Sequence, residues 1–465
     1  MDAADGSKDI HNSLVDKINQ HLLKLSREPM EAEKFTIYRV PAHFREKNES
    51  ELYKPRMISI GPYYHGHKSL QAMEKQKWRY LQNYLDRNPT NNIEHCISKL
   101  KGLESQARRC YFEEVELQSD EFLKMMLLDG CFIIEFLMKW YYDEEDVSLN
   151  QTHSWSQDSI SNVEWVLPMI RNDLLLMENQ IPFFIIEKLF SLLSFPESLL
   201  VRMLLKYLSE GREKGRPVQI LHEIEHILHL YYLCYVPSRS LNQLSTRTSH
   251  IQRRLNPIIQ LIFSFAFRLK MCFRGRTNST NGKAPRTIPS ATQLEEAGIR
   301  LIKTTENIFN IEFQNGTLEI PFIAIEDTRR SRLLNLVSFE QCYRNTNKDL
   351  TSYACFMGNL VRTTRDVTLL QEKGIIENLL ATNEELVSFF NRLTECSYLD
   401  HERHYLNKLL IDVSIYYNAK RHMWRAKLKR DYFSNPWSII SVTAAFALMA
   451  LTFLQTLYTI LSYYK

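Results

Sequence analysis

The C-terminal end of the chain carries the feature that most constrains its fold. Residues 433–464 contain no charged side chain, and residues 439–458 are mainly apolar. About 20 such residues in a helix span the roughly 30 Å hydrocarbon core of a bilayer. Trp437 and Tyr458 flank the run, where amphipathic rings favour the membrane interface. The sequence therefore predicts one C-terminal transmembrane helix within an anchor region, 433–464. The alternative is a buried helix that satisfies its own polar groups.

Basic residues before this segment predict its orientation. A single basic residue, Lys465, follows the segment. Six basic residues precede it, namely Lys420, Arg421, Arg425, Lys427, Lys429 and Arg430. Loops rich in Lys and Arg stay on the cytosolic side of membranes. We therefore expect a single-pass, tail-anchored membrane protein whose bulk faces the cytosol. Four of these basic residues and the tryptophan that follows them are predicted to contact lipid: Arg425, Lys427, Lys429, Arg430 and Trp437.

A second apolar stretch, residues 122–142, has a different interpretation. It contains four charged side chains, namely Lys124, Asp129, Glu135 and Lys139. Each charge at membrane depth costs roughly 2.5 to 3.5 kcal/mol on insertion scales. This stretch is therefore predicted to be a core helix of the soluble part.

Composition narrows the classes of function. The chain has 465 residues, a net charge of +4 and only 13 glycines. The small net charge indicates no nucleic-acid partner, and scarce glycine disfavours phosphate-cradling loops. The eight cysteines are scattered without a CxxC pair, which is typical of buried reduced thiols rather than a disulfide framework or a zinc site.

The soluble part is predicted to be mainly α-helical, with one small β-hairpin. An N-terminal amphipathic segment, 1–34, precedes a helical domain, 35–430. Within that domain, prolines predict an extended stretch over 35–66. Apolar periodicity then predicts helical stretches over 69–85, 120–142, 160–177 and 182–207, with breaks at Pro182, Pro196 and Gly215. Alternating strands around Asn315 and Gly316, which tolerate a tight turn, predict a hairpin from 311 to 325.

One insertion, at about 236–294, has an unusual charge pattern. Positions 227–294 lack Asp and Glu and carry ten Lys and Arg residues. Two interpretations stay open. The insertion can lean on anionic lipid headgroups, each nearby basic side chain adding about 1 kcal/mol, or it can be a solvated loop. On the first interpretation the contact residues are Arg253, Arg254, Arg268 and Lys270.

Residues 222–226 read HEIEH and match the HExxH zinc motif. A catalytic zinc needs a third protein ligand. No acidic residue follows until Glu295, and position 232 is Tyr232. His229 would lie about 10 Å along the same helix from His222. We therefore interpret these histidines as core or interface residues, and we predict no metal, cofactor or catalytic residue.

Polar residues 178–180, Glu-Asn-Gln, lie between two apolar helices and precede Pro182. Polar side chains followed by a proline can bond the backbone groups of a helix end and of the turn. We predict that they cap the helix end and the turn.

Taken together, collinear strings resemble a land-plant family known as domain of unknown function 247, over about residues 38–458. They are YRVP at 38–41, ISIGPYYHG at 58–66, KWRYL at 77–81, DGCFIIEFL at 129–137, RNDLLLMENQIPFFIIEKLF at 171–190, EEAGIRL at 295–301, SFEQC at 338–342, TSYACFMGNL at 351–360 and NPWSIIS at 435–441.

This resemblance implies a helical domain with a C-terminal membrane helix, and residues 178–180 then belong to a framework motif. It supplies no reaction and no catalytic residues. Some grass members are regarded as pollen-side determinants of self-incompatibility. We therefore expect a non-enzymatic interaction or recognition protein with an unidentified protein partner. An enzyme of unknown class and a membrane-surface scaffold are the alternatives.

Overall fold

The structure is a computed structural model of the chain. It describes residues 15–20, 35–47, 49–87, 92–144, 160, 163, 165–209, 224–236, 285–343, 346–395, 397–400, 402–419 and 436–463. The proposed lipid-contact insertion lies outside these residues, apart from its two ends.

The described part is mainly helical, as expected. In chain order the helices are α1 (Ala42–Lys47), α2 (Gln71–Arg87), α3 (Ile93–Lys101), α4 (Glu104–Arg109), α5 (Ser119–Glu144), α6 (Val166–Leu174), α7 (Phe183–Ser191), α8 (Glu197–Leu208), α9 (Ile227–Tyr235), α10 (Ala291–Glu296), α11 (Asp327–Cys342), α12 (Asp349–Leu360), α13 (Thr364–Glu372), α14 (Asn383–Glu395), α15 (Asn407–Asn418) and α16 (Pro436–Tyr463). Short 3-10 turns occur at Ser50–Tyr53, Pro62–Tyr64 and Lys68–Leu70.

The long helix α5 is the centre of the N-terminal half. It packs against α2, α3, α7 and α8, and every residue from Phe122 to Lys139 except Lys124 is buried. Its charged residues are paired inside the core: Asp129 with Lys77 at 2.6 Å, and Glu135 with Arg87 at 2.6 Å. This confirms the prediction of a core helix and explains how it carries charge.

Two small sheets lie in the C-terminal half. The first sheet has the order β1-β3-β2 (Arg300–Thr304, Thr317–Pro321, Glu312–Gln314), and the second pairs β4 (Ile323–Ile325) with β5 (Ile376–Asn378). Strands β2 and β3 are antiparallel around Asn315 and Gly316, both with positive φ. The predicted hairpin is confirmed over residues 312–321, whereas residues 323–325 belong to the second sheet. The parallel partners β1 and β5 were not predicted from the sequence.

Helix α11 joins the two halves into one core. The Asn335 side chain accepts a hydrogen bond from Met177 N at 2.9 Å and donates to Leu52 O at 3.3 Å. Arg330, only 1% exposed, forms ion pairs with Glu49 and Glu385. Apolar side chains from residue 37 to residue 413 belong to one hydrophobic cluster.

The C-terminal segment is helical, as α16 shows, but the prediction that it spans a membrane needs correction. Across the residues that the structure describes, no helix is both long and apolar enough to cross a membrane. Helix α16 extends over Pro436–Tyr463. It includes the polar residues Thr443, Thr452, Gln455 and Thr456. The prediction of a transmembrane helix is therefore wrong for the described part of the chain.

Of two further predictions, one holds in part and one is confirmed. The stretch over 35–66 contains extended backbone, but α1 and two 3-10 turns interrupt it. The break predicted at Pro196 within 182–207 is confirmed, because α7 ends at Ser191 and Pro196 is the N-cap residue of α8.

Candidate functional site

The densest set of buried polar side chains holds residues 56–61. We call it the polar clamp, and its side chains are Lys77, Asp129, Asp173, Glu178, Asn179 and Gln180. Residues 56–61 form neither helix nor strand, yet Ile58, Ser59 and Ile60 are buried. Buried backbone groups without regular secondary structure need other partners. The clamp supplies them.

Asp173, in α6, binds the start of this segment. Its carboxylate accepts hydrogen bonds from Arg56 N at 3.0 Å, Met57 N at 2.7 Å and Ile58 N at 2.9 Å. Burial raises the pKa of Asp173 to about 6, while these three donors oppose the rise. One carboxylate therefore replaces the ladder that a strand would provide.

A buried ion pair binds the end of the segment. Asp129 Oδ2 accepts a hydrogen bond from Gly61 N at 2.7 Å, and Asp129 Oδ1 lies 2.6 Å from Lys77 Nζ. Lys77 also donates to Ser59 O at 2.6 Å. Burial raises the pKa of Asp129, and Lys77 opposes this shift. Burial alone would lower the pKa of Lys77, but Asp129 and Glu74 outweigh it and the net shift is upward.

The polar triplet 178–180 completes the clamp and caps α6. Asn179 accepts from Ile60 N at 2.7 Å and donates to Asp173 O at 2.9 Å. Gln180 Nε2 donates to Leu174 O and to Leu176 O, each at 2.8 Å. The prediction of capping is confirmed for Asn179 and Gln180, whereas Glu178 binds distant groups instead. Their long-range partners could not be read from the local pattern.

Gly61 allows the segment to approach the triplet closely. Its φ is +80°, and a Cβ atom placed there would lie 2.3 Å from Gln180 O. Real Cβ atoms do not approach a backbone oxygen so closely, and this backbone conformation belongs almost entirely to glycine. The chain can pass here only because position 61 has no side chain.

His226, the last residue of the HEIEH string, is a cap for α9. Its Nδ1 accepts a hydrogen bond from His229 N at 3.2 Å, so Nε2 carries the proton and donates to Thr36 O at 3.0 Å. Burial lowers the pKa of His226 to about 3. Both ring nitrogens are engaged, and neither is left for a metal. His222 and Glu223 lie outside the described residues.

A second buried carboxylate, Glu340 of α11, holds the start of α12. It accepts hydrogen bonds from Tyr232 Oη at 2.8 Å, Leu350 N at 3.0 Å and Thr351 N at 2.7 Å. Burial raises its pKa. The SFEQC and TSYACFMGNL strings therefore meet at this contact.

The clamp extends to a surface groove of about 700 Å³. We call it the YRVP groove, because residues 38–41 run along it. Its lining comes from three separate parts of the chain: Tyr38, Arg39, Val40, Pro41, Ala42, Arg45, Glu46, Phe112, Glu113 and Cys342. Phe112 is 58% exposed at the rim. Pockets of a few hundred Å³ are the usual size of binding sites.

The two arginines of the YRVP groove are neutralised by carboxylates. Arg39 Nε donates to Glu113 at 2.5 Å, and its guanidinium lies 4.5 Å from the centre of the Tyr63 ring. Arg45 forms an ion pair with the buried Glu178. The remaining surface is largely apolar, so this groove favours apolar groups over ions.

Glu178 connects the groove with the clamp. Its carboxylate accepts hydrogen bonds from Val40 N at 2.7 Å and from Tyr64 Oη at 3.0 Å, besides pairing with Arg45. Burial, aided by Glu178, raises the pKa of Tyr64, so this phenol stays protonated and donates. The groove wall is therefore held from behind by the buried network.

The residues predicted to contact lipid are not brought together in the described structure. Arg253, Arg254, Arg268, Lys270, Arg425, Lys427, Lys429 and Arg430 lie outside the described residues, as does the side chain of Trp437. Their role stays a prediction. The clamp and the groove were not predicted as sites, although several of the collinear strings contain their residues.

Neither a metal cluster nor a reactive groove thiol is found among the described residues. No group of three or more His, Cys, Asp or Glu side chains that could hold a metal ion occurs among them. Burial raises the pKa of Cys342, in the groove, to about 11. At neutral pH this thiol is protonated and is a poor nucleophile.

Comparison with known proteins identifies the same family that the collinear strings resemble. A family model described as plant protein of unknown function, DUF247, matches residues 37–451. The chain belongs to this plant family.

Two Arabidopsis thaliana proteins illustrate the likeness. The UPF0481 protein At3g47200 is 32% identical over 442 residues, covering 92% of this chain and 86% of that protein. The putative UPF0481 protein At3g02645 is 24% identical over 507 residues, covering 93% of this chain and 91% of that protein. No solved structure matches the chain. The matched range contains the polar clamp and the YRVP groove.

Proposed function

We propose that this member of the family acts by binding another protein, without catalysis, and that the YRVP groove receives an apolar segment of that partner. A role in pollen-side self-recognition, which the resemblance implies for some grass relatives, is one form that such binding can take.

One observation carries the proposal: Glu178 ties the groove to the buried clamp. Its carboxylate holds the backbone of Val40, the guanidinium of Arg45 and the phenol of Tyr64. A site whose walls are locked by buried hydrogen bonds loses little conformational freedom on binding. Such a groove is organised before its partner arrives.

The chemistry of the groove supports an apolar occupant. Arg39 and Arg45 already have carboxylate partners, and Phe112 presents an exposed ring at the rim. Aromatic and arginine side chains around a desolvated pocket are typical of binding hot spots. The buried acids nearby accept backbone N–H donors, which supports a structural rather than a catalytic role for them.

Proximity labelling of the full chain in plant tissue tests the proposal. We compare the wild-type chain with Phe112→Glu, which places a charge at the groove rim. Tyr398→Glu is the matched control, because Tyr398 is 75% exposed and does not line the groove.

We expect a set of proteins that the wild type and the control both label and that Phe112→Glu loses. Thermal melts of the three chains check that each is folded. If the labelled proteins are the same for all three chains, the groove does not bind the partner and the proposal is wrong.

A further inference from the structure

The exposed side of α2 carries a tryptophan among basic residues. We call this surface the basic stripe and define it by Lys68, Gln71, Lys75, Trp78, Arg79 and Gln82, all of them exposed. We propose that the basic stripe docks an acidic segment of a partner protein, with an apolar side chain of that segment seated on Trp78. The inference rests on the proposed function, because it assumes action by protein binding, but it uses none of the residues of the YRVP groove.

Helix geometry places these side chains together. The buried face of α2 consists of Met73, Lys77, Tyr80, Leu81 and Tyr84. Positions 71, 75, 78 and 82 are spaced by three or four residues, so they form one row on the opposite face. Trp78 is 55% exposed although both Lys77 and Tyr80, close to it in sequence, are buried. The indole is therefore directed away from the core.

The charge of the stripe has one sign. The acids of α2 are Glu74, which turns to the buried Lys77, 2.5 Å away, and Asp86 at its C-terminal end, which accepts a hydrogen bond from Gln82 at 2.8 Å. Lys68, Lys75 and Arg79 form no ion pair with any residue that the structure describes. Arg79 bonds only the neutral amide of Gln76, at 3.3 Å. Lys75 and Arg79 therefore flank Trp78 without a paired acid, the stripe carries net positive charge, and the complementary surface is acidic.

A protein segment fits this surface better than a lipid bilayer does. Membrane binding by a surface helix grows with the apolar area that it inserts, and Trp78 is the single large apolar side chain of the stripe. Gln71 and Gln82 lie on either side of it in the row. The Gln71 amide can bond the backbone or side chains of another polypeptide, whereas the Gln82 amide already donates to Asp86 at 2.8 Å. Tryptophan and arginine at the centre of a patch are the residues most enriched at hot spots.

Site-specific photocrosslinking of the full chain in plant cells tests the inference. A photoreactive benzoylphenylalanine replaces Trp78, and crosslinked material is identified by mass spectrometry. The control places the same group at Trp165, which is also exposed (58%) and lies outside the stripe. We expect position 78, and not position 165, to capture a protein segment that has net negative charge and at least one large apolar residue.

Charge reversal adds a second measurement. Lys75→Glu with Arg79→Glu should lower the crosslink yield at position 78 at least about tenfold, which corresponds to roughly 1.4 kcal/mol. Lys75→Gln with Arg79→Gln, which removes charge without reversing it, should lower the yield less. Melting curves of both variants, whose changed side chains are exposed, should match the parent.

Three results would overturn the inference: capture of lipid instead of protein, capture of neutral or basic segments, or a yield that charge reversal leaves unchanged. Failure here is distinguishable from failure of the groove. If Phe112→Glu loses its labelled proteins while position 78 captures no acidic segment, the groove proposal stands and the stripe is excluded. If position 78 captures an acidic segment while Phe112→Glu loses nothing, the stripe stands without the groove.

Discussion

Acid should destabilise this protein through one buried histidine. His226 is neutral in the folded chain, with Nδ1 accepting from His229 N and Nε2 donating to Thr36 O. Burial lowers its pKa to about 3, whereas histidine in an unfolded chain titrates near pH 6.5. The perturbation is a decrease in pH, applied to the wild-type chain and to His226→Gln.

The sign follows from proton linkage. Because the folded pKa lies below the unfolded one, the unfolded chain binds more protons between about pH 3 and pH 6.5, and stability falls as the pH falls through this window. The stabilisation is complete above pH 6.5. From pH 8 to pH 5 the histidine alone should remove about 2 kcal/mol, at 1.36 kcal/mol for each pH unit below the unfolded pKa.

Denaturant unfolding of the full chain at several pH values between 8 and 5 measures the contribution of His226 to the free energy of unfolding. His226→Gln does not titrate, and its amide can still donate to Thr36 O. Because all other groups titrate alike in the two chains, the wild-type free energy of unfolding should fall about 2 kcal/mol more than that of the variant. Parallel curves would refute the reasoning. His226→Asn, which keeps a capping acceptor, replaces the Gln variant if that chain does not fold.

Three further substitutions test the buried network by denaturant unfolding. Gly61→Ala forces a Cβ to 2.3 Å from a backbone oxygen and should lower the free energy of unfolding by about 3 kcal/mol or more. Its control is Gly66→Ala, with φ +74° and no atom within 4 Å of the added Cβ, which should cost only about 1 kcal/mol. Equal losses of stability in the two variants would contradict the close contact at Gly61. Lys77→Met leaves Asp129 as an unpaired buried charge and should cost about 3 to 5 kcal/mol; adding Asp129→Asn should restore part of this loss, and no recovery would show that the ion pair is not the cause. Glu340→Gln should cost about 2 kcal/mol through weaker capping of α12; an unchanged midpoint would count against that role.

Features with a local cause were predictable from the sequence. The hairpin depends on Asn315 and Gly316, which tolerate positive φ wherever they occur. The core helix α5 follows from its own apolar residues and from charges that exclude it from a bilayer. The capping role of Asn179 and Gln180 follows from polar side chains beside a helix end.

Features with a non-local cause were missed. Strand β1 pairs with β3, and β4 pairs with β5 across some fifty residues, so no local pattern reveals either pairing. The clamp is similar, because Asp129 and Asp173 bind backbone atoms 68 and 115 residues away in sequence. Chain folding alone brings them together.

The C-terminal segment shows the limit of a one-dimensional criterion. Apolar composition correctly indicated a helix in α16, but a helix satisfies the bilayer criterion only if enough consecutive residues are apolar. Within the described residues none does.

By itself, the sequence determined helical content, the hairpin turn, the core position of α5 and the family strings, because each depends on residues close in the chain. Only the tertiary structure decided what those strings do together. Buried backbone groups at 56–61 need partners, and the fold supplies them from distant carboxylates and amides. The same contacts, through Glu178, hold the groove at residues 38–46 that we propose for partner binding.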